Sequence, residues 1–130
     1  MCIRDRDILV VRTNFLQLFH EQGESFYEGF NEPGLVYSPE LVRWFQDMEI
    51  PNLVTDTIAN EVTVDPDNGV ALVLHSALMR NLGVTLTEIA DLERLAADCA
   101  EDGRYAFLYV AAPLNIAKAA GSPVNPVAIK

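Results

Sequence analysis

An α/β layer fold is the expectation for this chain. Three observations carry it. Short apolar runs of strand length alternate with helix signals along the sequence. A well-marked amphipathic helix opens at Ser38-Pro39. Turn residues, above all Pro66-Asp67-Asn68-Gly69 and Gly121-Ser122-Pro123, punctuate what remains. The expected order is β-α-β-α-α-β-β in a single domain over residues 7–130. Residues 1–6, Met1-Cys2-Ile3-Arg4-Asp5-Arg6, read as a non-native leader in front of it.

Residues 7–13 hold a continuous apolar run and predict a strand buried on both faces. Residues 14–33 mix aromatics with Gly, Glu and Asn, so a short helix near Phe15–Phe19 and then a loop are expected. Ser38 suits an N-cap and Pro39 the first helical position. Tyr37 and Val42 occupy the two positions of a hydrophobic staple. Leu41, Trp44, Phe45 and Met48 recur at i, i+3, i+4 and i+7, which makes one apolar stripe, and Pro51 ends the helix.

Residues 52–56 predict a second buried strand, and the polar, acidic stretch 57–70 a loop. A second helix is expected over 71–82, stopped by Gly83 at a C-cap position. Residues 84–90 read as short and extended. Asp91 caps a third helix over 92–101, which Gly103 terminates. Residues 105–112 are the longest strand candidate. A last strand spans 124–129, with Pro126 placing it at an edge.

The 130 residues suit one domain, and half of them are apolar. A formal charge of −10 argues against nucleic acid, whose phosphates need a basic surface, and against an anionic membrane. No apolar run approaches the ~18 residues of a membrane span. No signal-peptide h-region follows Met1, so a cytoplasmic location is expected. The two cysteines, Cys2 and Cys99, make neither a disulfide framework nor a zinc cluster. Cys99 aligns with Leu92, Leu95 and Ala96 at helical spacing and reads as a small buried hydrophobe.

Few residues carry chemistry. His75 lies on the second expected helix, with Leu78, Met79 and Leu82 on its face. It suits a satisfied core histidine or a ligand. Glu88 follows the reversal at Gly83, which can return its carboxylate to the imidazole. Imidazole with carboxylate suits zinc or manganese, although two ligands make half a site. Asp56 ends a strand, where it either caps a loop or lines a site. His20, beside Glu21, reads as a solvated surface histidine, and Asp98, Glu101 and Asp102 as a solvated helix face. No phosphate loop, nucleophile elbow or HExxH is present.

The run from His75 through Gly83 to Glu88 resembles a block of the cyclase family of metal-dependent hydrolases, which includes bacterial kynurenine formamidase. Leu92 through Gly103 to Pro113-Leu114 is similar to the next block, and Gly121-Ser122-Pro123 through Ile129 to its closing motif. Asp7 through Arg12-Thr13, Pro33-Gly34-Leu35 and Thr55-Asp56-Thr57 also match, with Arg6 where the family has glycine. The resemblance implies the C-terminal part of a swivelling β/β/α domain. It implies hydrolysis of amide or cyclic amide bonds, as in an arylformamidase acting on N-formylkynurenine, with a divalent zinc or manganese ion. It maps two metal ligands onto His75 and Glu88. It also implies a small-molecule amide substrate and a homo-oligomeric full-length protein. The family's HxGTHxD motif and the proton-shuttling histidine after it are absent from this sequence. This chain by itself is therefore expected to be inactive. Two alternatives stand beside this reading: a non-catalytic α/β binding or assembly module, and a small enzyme using Asp56 with His75.

Overall fold

The computed structural model describes residues 3–29 and 31–130. Met1 and Cys2 of the expected leader, and Phe30, lie outside the described residues. The architecture is mixed α/β, and the chain divides into two compact units, one up to Arg94 and one from Leu95 to Lys130.

The first unit is built on a three-stranded parallel sheet in the order β1-β2-β3. Strand β1 is Leu9–Val11, β2 is Asn52–Thr55 and β3 is Thr85–Thr87. Leu9 pairs with Leu53, and Leu53 with Leu86, so β2 is central. Helix α1 (Phe15–Gln22) continues as a 3-10 turn over Gly23–Tyr27, and α2 (Pro39–Asp47) leads back to β2. The Ser38 hydroxyl accepts the Leu41 N–H at 3.1 Å, so the N-cap forms as its sequence predicts. Arg6 reaches the far end of α2: its N–H donates to the Met48 carbonyl at 2.8 Å, and its guanidinium pairs with Glu49.

The core gathers Phe45, Ile50, Leu53, Leu74, Leu78 and Val84, all nearly inaccessible. Burying one such side chain contributes about 1.5–3 kcal/mol, so this cluster is what joins α2 to the sheet. The stretch 84–90, expected only to be extended, completes the sheet as β3. The helix near Phe15 is longer than expected. Together they change the expected order.

The helix expected over 71–82 also differs. Ala71 instead bridges Val64 in an antiparallel pair, closing a tight turn in which Asp65 Oδ1 accepts the N–H groups of Asp67 and Asn68. Leu72 sits at φ 55°, which breaks helical winding there. From His75 to Leu82 the chain winds as a π-helix, and Gly83 at φ 74° ends it. The wider winding changes which residues share a face. Leu78 is fully buried, whereas Met79, expected beside it, is exposed.

In the second unit, the C-terminal part of α3 (Glu93–Asp102) is followed by β4 (Leu108–Val110) and β5 (Val127–Ile129), paired antiparallel. Lys130 bonds Asp98 and Asp102, each at 2.8 Å, so that helix face is ion-paired rather than only solvated. Cys99 is buried as its spacing predicts. The strand expected over 105–112 shrinks to three residues, and Leu108 and Ile129 stay more than half exposed. A two-stranded ribbon has no layer of its own to bury either face. Among the described residues no helix is long and apolar enough to cross a membrane.

Candidate active site

The site forms where β2 and β3 end, at the carboxyl edge of the parallel sheet. Beyond β2 the chain runs through Thr55, Asp56 and Thr57, all buried. Asp56 Oδ1 accepts the N–H and the hydroxyl of Thr13, both at 2.8 Å, and Oδ2 accepts the Phe15 N–H at 3.0 Å. Asp56 is therefore a loop cap that fixes the start of α1, and the structure does not bring it to His75. Arg12, beside Thr13, makes a bidentate pair with Glu93 at 2.7 and 2.6 Å. His20 is exposed, as expected.

Asn60 follows at φ 56°. The segment after it zips onto Leu35, whose N–H donates to the Asn60 carbonyl and whose carbonyl accepts the Val62 N–H. Gly34 lies so close that a Cβ there would strike the Glu61 carbonyl and the Val62 nitrogen. This approach turns the Glu61 side chain inward, where it is 3% exposed. The acidic loop expected over 57–70 is thus partly core: Thr57, Asn60, Glu61 and Asp65 are buried.

Burying a carboxylate demands donors. Glu61 finds them at the start of the π-helix. Its Oε2 accepts the Leu74 N–H at 2.7 Å, and its Oε1 accepts the His75 N–H at 2.9 Å and the His75 ring Nδ1 at 2.6 Å. Those backbone groups belong to the orphan donors of a helix N-terminus, so one side chain caps the helix and seizes its first imidazole.

The other imidazole nitrogen, Nε2, lies 3.3 Å from Glu88 Oε1. Glu88 leaves β3 just before Ile89, a β-branched residue at φ 54°. The Ile89 N–H donates to the Thr57 carbonyl and that of Ala90 to the Thr55 carbonyl, so this kink is tied to the end of β2. Asn60 Nδ2 donates to Glu88 Oε1 at 3.2 Å. Among the described residues, the Asn60 Oδ1 is buried without a hydrogen-bond partner.

His75 and Glu88, paired in sequence by the reversal at Gly83, are brought together. Glu61 and Asn60 had no signal in the sequence beyond lying in an acidic stretch. Their roles depend on Leu35 and His75, both remote in the chain.

His75 Nε2 and Glu88 Oε1 are two donors of the kind that ligate divalent ions. Two ligands of one ion at the usual ~2.1 Å stand roughly 3–3.5 Å apart, as Nε2 and Oε1 do. An imidazole nitrogen and a carboxylate oxygen suit zinc or manganese alike. The orphaned Asn60 oxygen adds a polar atom in want of a partner beside them. Among the described residues no group of three or more His, Cys, Asp or Glu side chains is placed to hold a metal. Both Glu61 oxygens are already engaged, which leaves the pair. A cavity of about 190 Å³ lies elsewhere in the unit, among Thr13, Phe15, Leu18 and Phe26.

No protein-family model and no curated protein matches this sequence. Among solved structures, the chain is similar to one described as a novel cyclase, with 38% identity and a TM-score of 0.84. The alignment covers 99% of this chain and 42% of the other, so the chain spans less than half the length of that relative.

Proposed function

We propose that this chain is part of a cyclase-family, metal-dependent hydrolase of amide or cyclic amide bonds, with an arylformamidase-like substrate. His75 Nε2 and Glu88 Oε1 would hold the ion, zinc or manganese. The single observation that carries this reading is their 3.3 Å approach, with the far side of the imidazole backed by a buried carboxylate. Metal-ligating histidines commonly show that backing. The similarity to a cyclase over nearly the whole chain supports the family.

When bound, the ion supplies a Lewis acid that polarises the scissile carbonyl. The chain's own residues do the rest of what is visible. Glu61 holds the imidazole, Asn60 holds the Glu88 carboxylate, and the Ile89 kink fixes that carboxylate to the end of β2.

Titration of the chain with Zn²⁺ and Mn²⁺, followed by calorimetry, tests the reading. Binding that disappears in His75→Ala and in Glu88→Ala is expected. An ion that binds equally well to both variants would sink it.

A second reading, an assembly module, has its own observation. Leu108, Val110, Leu114, Ile116, Val127 and Ile129 are all exposed in the second unit. Lys118 is the one charged residue between Tyr105 and Ile129. Such a surface suits burial against protein, so homo-oligomerisation of the full-length protein is part of the proposal.

A further inference from the structure

Each member of the candidate ligand pair is held by one member of a second, adjacent pair. Glu61 binds the His75 ring and Asn60 binds the Glu88 carboxylate. We propose that Asn60-Glu61 is the positioning device of this site. Glu61 fixes His75 in the tautomer that carries its proton on Nδ1, and Asn60 fixes the carboxylate that the free Nε2 faces. The purpose of the device rests on the metal-site reading, whereas the tautomer assignment stands on hydrogen bonding alone.

The argument is one of donors and acceptors. An ionised carboxylate only accepts, so the 2.6 Å contact requires the proton on His75 Nδ1. A neutral imidazole has a single N–H, so its Nε2 is then an acceptor. That lone pair faces Glu88 Oε1, another acceptor, at 3.3 Å. Two acceptors held at this distance repel unless a proton on Nε2 or a metal cation lies between them.

Glu61 takes the His75 backbone N–H and ring together, so residue and rotamer are fixed by one carboxylate. Asn60, at φ 56°, sends its amide to Glu88 while Glu61 turns to the helix. Gly34 and Leu35 clamp the dipeptide backbone. The pair is the only part of this loop that touches both candidate ligands in the hydrogen bonds of the described residues.

The test is the ¹⁵N spectrum of the His75 ring in the 130-residue chain, at a pH where the ring is neutral. A protonated Nδ1 with a bare Nε2 is expected. Glu61→Ala and Glu61→Leu, which remove the acceptor, should both shift the population toward the opposite tautomer and weaken Zn²⁺ binding about 10–100-fold. Asn60→Ala should leave the tautomer in place and weaken Zn²⁺ alone. A wild-type ring protonated at Nε2, or a tautomer unmoved by both Glu61 variants, would overturn the proposal. If neither variant folds, the wild-type spectrum decides. Zinc that leaves the wild-type Nε2 resonance unmoved would defeat the metal reading and leave the role of Glu61 standing.

Discussion

Glu61 binds His75 twice through one oxygen: Oε1 accepts the backbone N–H at 2.9 Å and the ring Nδ1 at 2.6 Å. A buried carboxylate at a helix start is stabilised by the helix N–H groups as much as by the imidazole. Helix position and ring orientation therefore depend on the same side chain. A change at His75 that spares its backbone, such as His75→Ala, leaves Glu61 two of its three donors. The unit should stay folded in that variant while the ring's chemistry is lost.

Asp56 offers a contrasting case, since its three hydrogen bonds go to a loop and not to the site. Asp56→Ala should lower unfolding free energy by about 3 kcal/mol, because two N–H groups and a hydroxyl lose a charged acceptor. Urea denaturation measures this. His75 ring shifts should remain at wild-type values, and a large change in them would show that Asp56 belongs to the site after all.

Gly34→Ala should act at a distance. The new methyl group meets the Glu61 backbone, so the loop must move. We expect a loss of about 1–3 kcal/mol, typical of overpacking. The same variant should alter the His75 ring resonances, because Glu61 is displaced. Unchanged stability would mean that the approach of Gly34 to Glu61 is looser than described.

The 130-residue chain should show no measurable hydrolysis of N-formylkynurenine, with or without zinc or manganese. Catalytic zinc sites usually use three protein ligands, and His75 with Glu88 supplies two. Without a proton-shuttling histidine a further ~10²–10⁴-fold is lost. An amide-hydrolysis assay with metal titrated in is the measurement. Turnover that requires both metal and His75 would refute the ligand-count argument.

The tie between Lys130 and α3 should respond to pH at both ends of the scale. The hydrogen bond from Lys130, and then that from the Arg104 N–H, hold the Asp102 carboxyl below its ordinary range. Its contribution is present above the unfolded value of about 3.9 and is lost as pH falls through the folded value. Burial opposes charge on Lys130, yet its hydrogen bonds to Asp102 and Asp98 prevail and raise its pKa. That contribution is complete below about 10.4 and is lost as pH rises through the folded value. Protection factors of the β5 amides, corrected for intrinsic exchange, should therefore fall toward strong acid and toward strong alkali, and factors that stay constant would contradict the tie.

The exposed ribbon should drive association. Leu108 and Ile129 are cross-strand partners and both lie in solvent. Sedimentation of the chain should show a coefficient that rises with concentration. Leu108→Lys combined with Ile129→Glu keeps an attractive cross-strand pair while removing the apolar surface, and it should restore a single species. Association undiminished in this double variant would place the contact elsewhere.

Features written within a few residues were legible in the sequence. Ser38 caps α2, Gly83 ends the π-helix, the Pro66–Gly69 turn closes, and Cys99 is buried. Each depends on a local backbone conformation or on helical spacing, which neighbouring residues dictate. The pairing of His75 with Glu88 was legible for the same reason, because a single reversal joins them. Features that needed remote partners were not. Within residues 84–90, Thr85–Thr87 become a strand only because β2 offers an unpaired edge. Asp56 and Glu61 are both carboxylates in the stretch that follows β2, and local sequence does not distinguish them. Asp56 was sent to Thr13, and Glu61 to His75, by which donors the fold left beside each. A buried carboxylate takes its role from the groups that desolvate with it, and tertiary structure alone decides which groups those are.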